Sequence, residues 1–323
     1  MRSRRALRRW DLGGFPLPSG SWYFFFEEPV PRVYVAFRLV AHSCLTRTEA
    51  CEGRVESVRC GTQVTTEGER LLQQSGGLER ETRWLLDRVG VQPGWRVVDV
   101  GCGPLGILNL LAERVGLHGE VVGLEREASL VAMGETLFEL RELPNLRFAL
   151  GDAYATGLPR GAFDLAHARL LLINLTEPGR ALAEMVALVR PGGIIAVQDI
   201  DQLPWLCEPP HPAWDALVST FLLVWRANGL DPLIGHRLPA LLHTAGLVDV
   251  EVEVHGRIAP PGAYYRKHLL GLTEAIRGEI VKRGLFTEQE LAALTGALER
   301  HLDDPRTVVT RPLLFQAWGR KPS

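Results

Sequence analysis

The sequence is poor in the residues that would build a metal site, a disulfide scaffold or a membrane anchor. Its five cysteines are Cys44, Cys51, Cys60, Cys102 and Cys207. They form no CxxC pair, and no histidine follows them at zinc-finger spacing. This argues against structural zinc and against a disulfide framework. No segment approaches the roughly 18 to 20 apolar residues that a membrane-spanning helix needs. We therefore expect no metal, no membrane span and a reducing, cytoplasmic setting.

Lysine is scarce, and the chain has no excess of positive charge. The only lysines are Lys267, Lys282 and Lys321, the net charge is -2 and the pI is near 6.5. Proteins that bind the phosphate backbone of nucleic acid draw most of their affinity from clustered Lys and Arg, so we expect no nucleic-acid partner. The content of 46% hydrophobic and 23% charged residues is ordinary for a globular protein.

Residues 1–62 differ in composition from the rest. They hold nine of the aromatic residues and three of the five cysteines, and their net charge is +4 against -6 for residues 63–323. One interpretation is a twin-arginine export signal at Arg4 and Arg5, although glycines and prolines interrupt its apolar segment. A second is a small appendage with a strand at residues 33–37. The favoured hypothesis is a translation artefact or poorly ordered extension, with Val64 as an alternative start.

From Thr65 onward, short apolar segments alternate with segments of helical periodicity. The predicted strands are residues 96–100, 121–125, 146–150, 163–166 and 194–198. The predicted helices before and between them are residues 67–89, 105–115, 127–140 and 180–189. Apolar strands that alternate with helices are typical of a parallel sheet covered on both faces. We therefore predict an α/β, doubly wound domain.

The last third of the chain adds helices among the final strands. Helices are predicted at residues 211–228, 233–244, 264–283 and 287–301, and strands at residues 248–254 and 307–318. Such helices would cover the carboxyl edge of the sheet, which is where sheets of this kind bind ligands. We interpret them as a helical lid that shapes a substrate pocket.

Three glycines mark the turn between the first strand and the next helix. Gly101, Gly103 and Gly106 let a ligand pack against bare main chain at a helix N-terminus. Asp99 would place a carboxylate under this loop, which repels a dinucleotide pyrophosphate but attracts the cationic groups of S-adenosylmethionine. Glu125 closes the second strand, where a carboxylate can accept hydrogen bonds from both ribose hydroxyls. These charges favour a cationic ligand.

These motifs resemble those of the class I S-adenosylmethionine-dependent methyltransferases, particularly the ubiquinone and menaquinone methyltransferase-like small-molecule group. Asp99, Gly101, Gly103 and Glu125 match the glycine motif and the ribose acid, and residues 190–193 match the turn before the fifth strand. The resemblance implies that Asp152 and Ala153 bind adenine, and that neighbouring Cys102, Arg126 and His167 belong to the same cofactor site. It covers residues 67–201 well.

The resemblance also implies an architecture and an activity. The expected fold is a seven-stranded, mostly parallel sheet with one reversed strand near the C-terminus, for which residues 307–318 are the candidate. Residues 63–201 would form the cofactor-binding core, and residues 202–323 the helical cap and the last strands of the same domain. The expected function is methyl transfer to oxygen, nitrogen or carbon of a small organic metabolite. A nicotinamide-dependent oxidoreductase and a non-catalytic cofactor-binding relative remain alternatives, and a homodimer is left open.

Methyl transfer mainly requires that the acceptor be held close and desolvated, so a catalytic base is optional. His167, which follows the fourth strand, is the candidate base, although a lone histidine there is more often structural. The candidate pocket residues are aromatic or imidazole side chains of the lid, because ligand pockets are mostly apolar with a few polar groups. They are Trp205, Tyr264, Tyr265 and His268, of which Tyr264 and His268 would share one helix face.

Overall fold

The computed structural model describes residues 66–139, 144–203 and 205–323. The expectations for residues 1–62 lie outside this part of the chain. The described helices are α1 (Thr66–Gly77), α2 (Glu79–Val89), α3 (Leu108–Val115), α4 (Ala128–Glu139), α5 (Pro178–Leu188), α6 (Pro212–Ala227), α7 (Leu238–Thr244), α8 (His268–Ala275), α9 (Arg277–Lys282) and α10 (Glu288–Asp303). The described strands are β1 (Arg96–Val100), β2 (Glu120–Glu125), β3 (Leu146–Leu150), β4 (Phe163–Arg169), β5 (Val189–Asp201), β6 (Cys207–Glu208), β7 (Val248–His255), β8 (Ile258–Ala259), β9 (Val308–Thr310) and β10 (Leu313–Arg320).

Seven strands form one sheet in the order β3-β2-β1-β4-β5-β10-β7. The pairs from β3 to β5 are parallel, whereas β10 is antiparallel to both β5 and β7. The α/β fold with a single reversed strand is therefore confirmed. The short strands β6, β9 and β8 form a second sheet.

Both faces of the large sheet are buried, because successive residues of each strand point to opposite sides. On one face, Val98 and Ile195 pack with α5 and α7. On the other face, Val97 and Ala196 pack with α2 and α3. A fully buried valine or leucine side chain contributes roughly 1.5 to 3 kcal/mol. These two apolar layers hold the carboxyl ends of β1, β2 and β4 side by side.

The helical cap is formed by two insertions in the chain, one after β5 and one after β7. Helices α6, α8, α9 and α10 pack around a separate core that includes Trp214, Phe221, Leu269 and Leu298. Strands β7 and β10 return the chain to the large sheet on either side of the second insertion.

Three predicted elements differ from the structure. The helix predicted over residues 67–89 is divided at Leu78, where Gly77 lets α1 approach Tyr265: a Cβ on Gly77 would lie 3.0 Å from its ring. Residues 264–283 form a 3₁₀ turn (Tyr264–Arg266) followed by α8 and α9, so Tyr264 and His268 do not share one helix. The closing strand predicted over residues 307–318 is two strands, because Pro312 cannot donate to a ladder and separates β9 from β10.

None of the helices within the described ranges is long and apolar enough to cross a membrane.

Candidate functional site

The turn after β1 is built from glycines that no other residue could replace without strain. Gly101 and Gly103 have φ angles of 71° and 60°, which L side chains rarely adopt. A Cβ on Gly101 would lie 2.8 Å from Leu171 Cδ1. A Cβ on Gly103 would meet no atom closer than Leu71 Cδ1 of α1, at 3.8 Å. The bare main chain of Gly103 therefore faces open space between the turn and α1.

Glu125, the last residue of β2, is tied to this turn. Its Oε2 accepts a hydrogen bond from the Gly103 amide at 3.0 Å, and its Oε1 accepts from the amides of Arg126 and Glu127. A carboxylate has about four acceptor positions, so these three bonds fix its orientation and leave acceptor capacity toward the turn. The Arg126 side chain is exposed and lies 3.4 Å from Glu127.

Asp99 lies beneath the turn but is not open to a ligand. Its side chain is almost fully buried, and Oδ1 lies 2.7 Å from His167 Nδ1. The Oδ2 atom lies 3.0 Å from the position that a Cβ on Gly106 would take. Asp99 therefore lies under the loop, as the sequence predicted. The carboxylate, however, is buried against the His167 ring, so it attracts a cationic ligand less openly than the sequence indicated.

The candidate base His167 is enclosed by protein partners. It is fully buried, and its two ring nitrogens face Asp99 Oδ1 and, at 3.2 Å, Gln198 Oε1. Gln198 Oε1 also accepts a hydrogen bond from Thr82 Oγ1. Both ring nitrogens of His167 therefore have protein partners. This arrangement favours the structural alternative for His167, which links β1, β4 and β5, and its catalytic role stays an untested prediction.

The hydroxyl groups of two residues hold the Arg169 side chain in place. Arg169 donates to Thr82 Oγ1 of α2 at 3.0 Å and to Ser75 Oγ of α1 at 2.6 Å. Ser75 Oγ in turn donates to the Gly106 carbonyl at 2.6 Å. Burial lowers the pKa of Arg169. These hydrogen bonds connect the glycine turn to α1, and no local sequence signal indicated them.

The expected adenine-binding residues follow β3. Asp152 Oδ1 accepts a hydrogen bond from the Tyr154 amide at 2.8 Å, and the Gly151 amide donates to the Glu125 carbonyl at 2.9 Å. The turn that contains Asp152 and Ala153 thus adjoins the end of β2. Cys102 is buried, and burial raises the pKa of its thiol well above the usual value, so only its main chain is available to a ligand.

The four predicted pocket residues are brought together. The His268 ring lies 5.2 Å from each of Tyr264 and Tyr265 and 5.7 Å from Trp205, centroid to centroid. Burial lowers the pKa of His268 to about 3, so its imidazole is neutral at physiological pH. We call Trp205, Tyr264, Tyr265 and His268 the aromatic cluster.

Asp199 is a further buried acid, near the end of β5. It accepts hydrogen bonds from the amides of Ile173 and Ile200, and burial raises its pKa to about 7. Ile173 belongs to the loop after β4 whose Leu171 packs on Gly101. Asp199 therefore fixes a loop that contacts the glycine turn.

The residues present fit S-adenosylmethionine. The open space at Gly103, with Glu125 tied to the same residue and Asp152 on the adjoining turn, offers main chain at one end and two carboxylates for hydroxyl and amino groups.

Comparisons with known proteins point the same way. A family model described as "Methyltransferase domain" matches residues 92–221. The chain is 34% identical over 166 residues to trans-aconitate 2-methyltransferase of Methylobacterium radiotolerans, which covers 51% of this chain and 59% of that protein. It is 32% identical over 126 residues to demethylmenaquinone methyltransferase of a Geobacillus species, covering 38% and 54%. The chain thus spans about half the length of the curated relatives it matches.

Solved structures support the fold. A candidate methyltransferase from Bacillus halodurans superposes with a TM-score of 0.51 at 14% identity, covering 74% of this chain and 97% of that one. The YcgJ protein of Bacillus subtilis gives a TM-score of 0.50 at 14% identity, covering 77% and 99%. At this level of identity the likeness establishes the architecture alone.

Proposed function

We propose that this chain is a class I S-adenosylmethionine-dependent methyltransferase of the small-molecule type and that it transfers a methyl group to a small organic metabolite. The observation that carries this proposal is the hydrogen bond from the Gly103 amide to Glu125, beside open space under α1. The named relatives methylate small molecules, which favours this function over a nicotinamide-dependent oxidoreductase.

The residues of the turn would hold the cofactor by its polar groups. The amides of Gly101, Cys102 and Gly103 already donate to protein acceptors, so we propose that their carbonyl oxygens bind its amino-acid part and that Glu125 accepts from a ribose hydroxyl. Asp152 and the Ala153 amide would bind adenine, and the Arg126 main chain would line the same edge. When bound, S-adenosylmethionine supplies a sulfonium methyl, which an acceptor lone pair takes as the C–S bond breaks, releasing S-adenosylhomocysteine and the acceptor's proton.

The chain's own contribution is to position the acceptor and exclude water. The aromatic cluster is the proposed lining of the acceptor pocket, because it brings apolar rings and a few polar atoms together. Because His167 is fully buried and each ring nitrogen lies within hydrogen-bond distance of a protein partner, we propose that it does not take the proton. The acceptor's own acidity or solvent therefore serves in place of a base. We propose the cytoplasm as the location. The homodimer and the lack of nucleic-acid contact stay predictions.

A labelled methyl donor tests this function. The full chain is incubated with S-adenosylmethionine carrying a trideuterated methyl group and a metabolite extract of the native host, and products are read by mass spectrometry. We expect a product heavier than its acceptor by one labelled methyl group, together with S-adenosylhomocysteine. Cofactor binding without any labelled product indicates the non-catalytic relative, and stabilisation by NAD alone indicates the oxidoreductase.

A further inference from the structure

A small cleft lies where α2 approaches the ends of β5, β7 and β10. Its polar lining comes from Glu81, His255, Arg257, Tyr265 and Arg311. Its volume is about 10 Å³, close to the room that one water molecule needs. The cleft therefore admits one small end group of a ligand rather than a whole molecule. Tyr265 connects it to the aromatic cluster.

Four polar atoms at this cleft are buried without a hydrogen-bond partner among the described residues. They are Glu81 Oε2, His255 Nε2, Tyr265 Oη and Arg311 Nε. Each such atom costs about 1 to 3 kcal/mol when it stays unsatisfied, and native proteins leave few of them. Four in one cleft indicate a place where an external polar group is bound.

The charges of the cleft leave one cation in excess. Arg257 lies 2.9 Å from Glu81 Oε1, so these two charges offset each other. Arg311 donates to the Gly77 carbonyl and lies 3.9 Å from the same carboxylate oxygen, beyond hydrogen-bond distance. Two guanidinium groups thus share one carboxylate. A single negative charge would balance the cleft.

The Tyr265 hydroxyl stays protonated and can donate. The Arg311 guanidinium carbon lies 4.6 Å from the centre of its ring. Burial raises the pKa of Tyr265, and this effect exceeds the opposing attraction of Arg169 and Arg311. Tyr265 Oη and Arg311 Nε are therefore two donors, and Arg311 is itself the cation in excess.

We propose that this cleft binds a carboxylate of the methyl acceptor, through Arg311 Nε and Tyr265 Oη, so that the acceptor is an organic acid. The inference rests on the proposed methyl transfer and names its substrate class. A carboxylate has two acceptor oxygens and one negative charge, which match the donors and the excess cation. Glu81 Oε2 then accepts from a hydroxyl or amino group of the same acceptor. A phosphate dianion fits less well, because Glu81 repels its second charge.

Fractionation of the acceptor pool tests the proposal directly. A metabolite extract of the native host is separated on an anion-exchange resin at pH 7 before reaction, and each fraction is incubated with the full chain and the trideuterated donor. We expect labelled products from carboxylate compounds of the retained fraction. Label confined to the unretained fraction, or to phosphate esters without a carboxylate, overturns the proposal. No label in either fraction overturns the methyl transfer itself.

Two variants locate the site once a labelled acceptor is found. Arg311→Gln should raise the KM for the acceptor at least tenfold and change the affinity for S-adenosylhomocysteine less than twofold. The control Arg306→Gln, at an exposed arginine, should change neither value. An unchanged KM in Arg311→Gln contradicts the assignment.

Tyr265→Phe keeps the test decisive if Arg311→Gln does not fold. It removes a hydroxyl without a partner among the described residues, so we expect stability without ligand to be equal or higher and the acceptor KM to rise severalfold. A loss of stability with no change in KM shows that the hydroxyl is structural and rejects the proposal.

Discussion

The Asp99 carboxylate and the His167 imidazole form a buried pair, 2.7 Å apart, directly beneath the glycine turn. The two residues belong to neighbouring strands in register, β1 and β4. The pair keeps the Asp99 carboxylate enclosed by protein beneath the turn. It also favours a structural role for His167 over the predicted role as a base.

The pair predicts a large stability cost for His167→Ala. Because the Asp99 carboxylate would stay buried without its partner, we expect a loss of about 3 to 5 kcal/mol in the free energy of unfolding. Urea denaturation measures this. The control His243→Ala, at an exposed position of α7, should stay within about 0.5 kcal/mol of wild type. A loss below about 1 kcal/mol for His167→Ala is incompatible with the buried pair.

The glycine turn predicts a loss of cofactor binding in Gly101→Ala. The new Cβ would lie 2.8 Å from Leu171 Cδ1 and would adopt a φ of 71°. We expect the affinity for S-adenosylhomocysteine to fall at least tenfold in calorimetry.

Gly90→Ala is the matched control, because Gly90 has a φ of 72° and ends α2, with only Gln92 Nε2 close to its Cβ position, at 3.9 Å. Both variants carry the same backbone strain, so only the contact with the loop after β4 differs. If the two variants bind equally well, the turn is not the cofactor site.

Asp199 predicts a specific dependence of stability on pH. Burial raises its folded-state pKa to about 7 from the usual 3.8 of an aspartic acid, so folding favours the protonated acid. Its contribution to stability is therefore fully present below pH 4 and declines as the pH rises toward 7, because the unfolded chain ionises first. In Asp199→Asn this decline should be absent. Unfolding free energies of both proteins between pH 4 and pH 8 measure it, and curves that stay parallel would contradict it.

The sequence predicted the core of the fold because its strands are apolar and bounded by glycines. Strands β1 and β3 were predicted at their observed bounds. The reversed strand was placed correctly by the family resemblance, but the break at Pro312 was missed although proline signals it. The break of the first helix at Leu78 had a similar signal in Gly76 and Gly77.

The site was only partly predictable. Gly101, Gly103 and Glu125 belong to recognisable motifs at the ends of the first two strands. Their proximity could therefore be predicted from the order of these strands in the chain. The partners of His167 and Arg169 did not, because Asp99 is 68 residues and Ser75 94 residues away from them in the chain. The orientation of these side chains depends on how α1 and α2 pack on the sheet. No periodicity or spacing in the sequence encodes that packing.

The central claim is that the end of β2 and the glycine turn together hold S-adenosylmethionine, and titration calorimetry on a pair of variants tests it. Glu125→Ala removes a carboxylate at the carboxyl end of β2, whereas Glu120→Ala removes one at the opposite end of the same strand. We predict that Glu125→Ala loses about 1.5 to 3 kcal/mol of S-adenosylmethionine binding free energy, the value of charged hydrogen bonds, and that Glu120→Ala binds like wild type. Equal binding by both variants, or no binding of S-adenosylmethionine by wild type, would contradict the account.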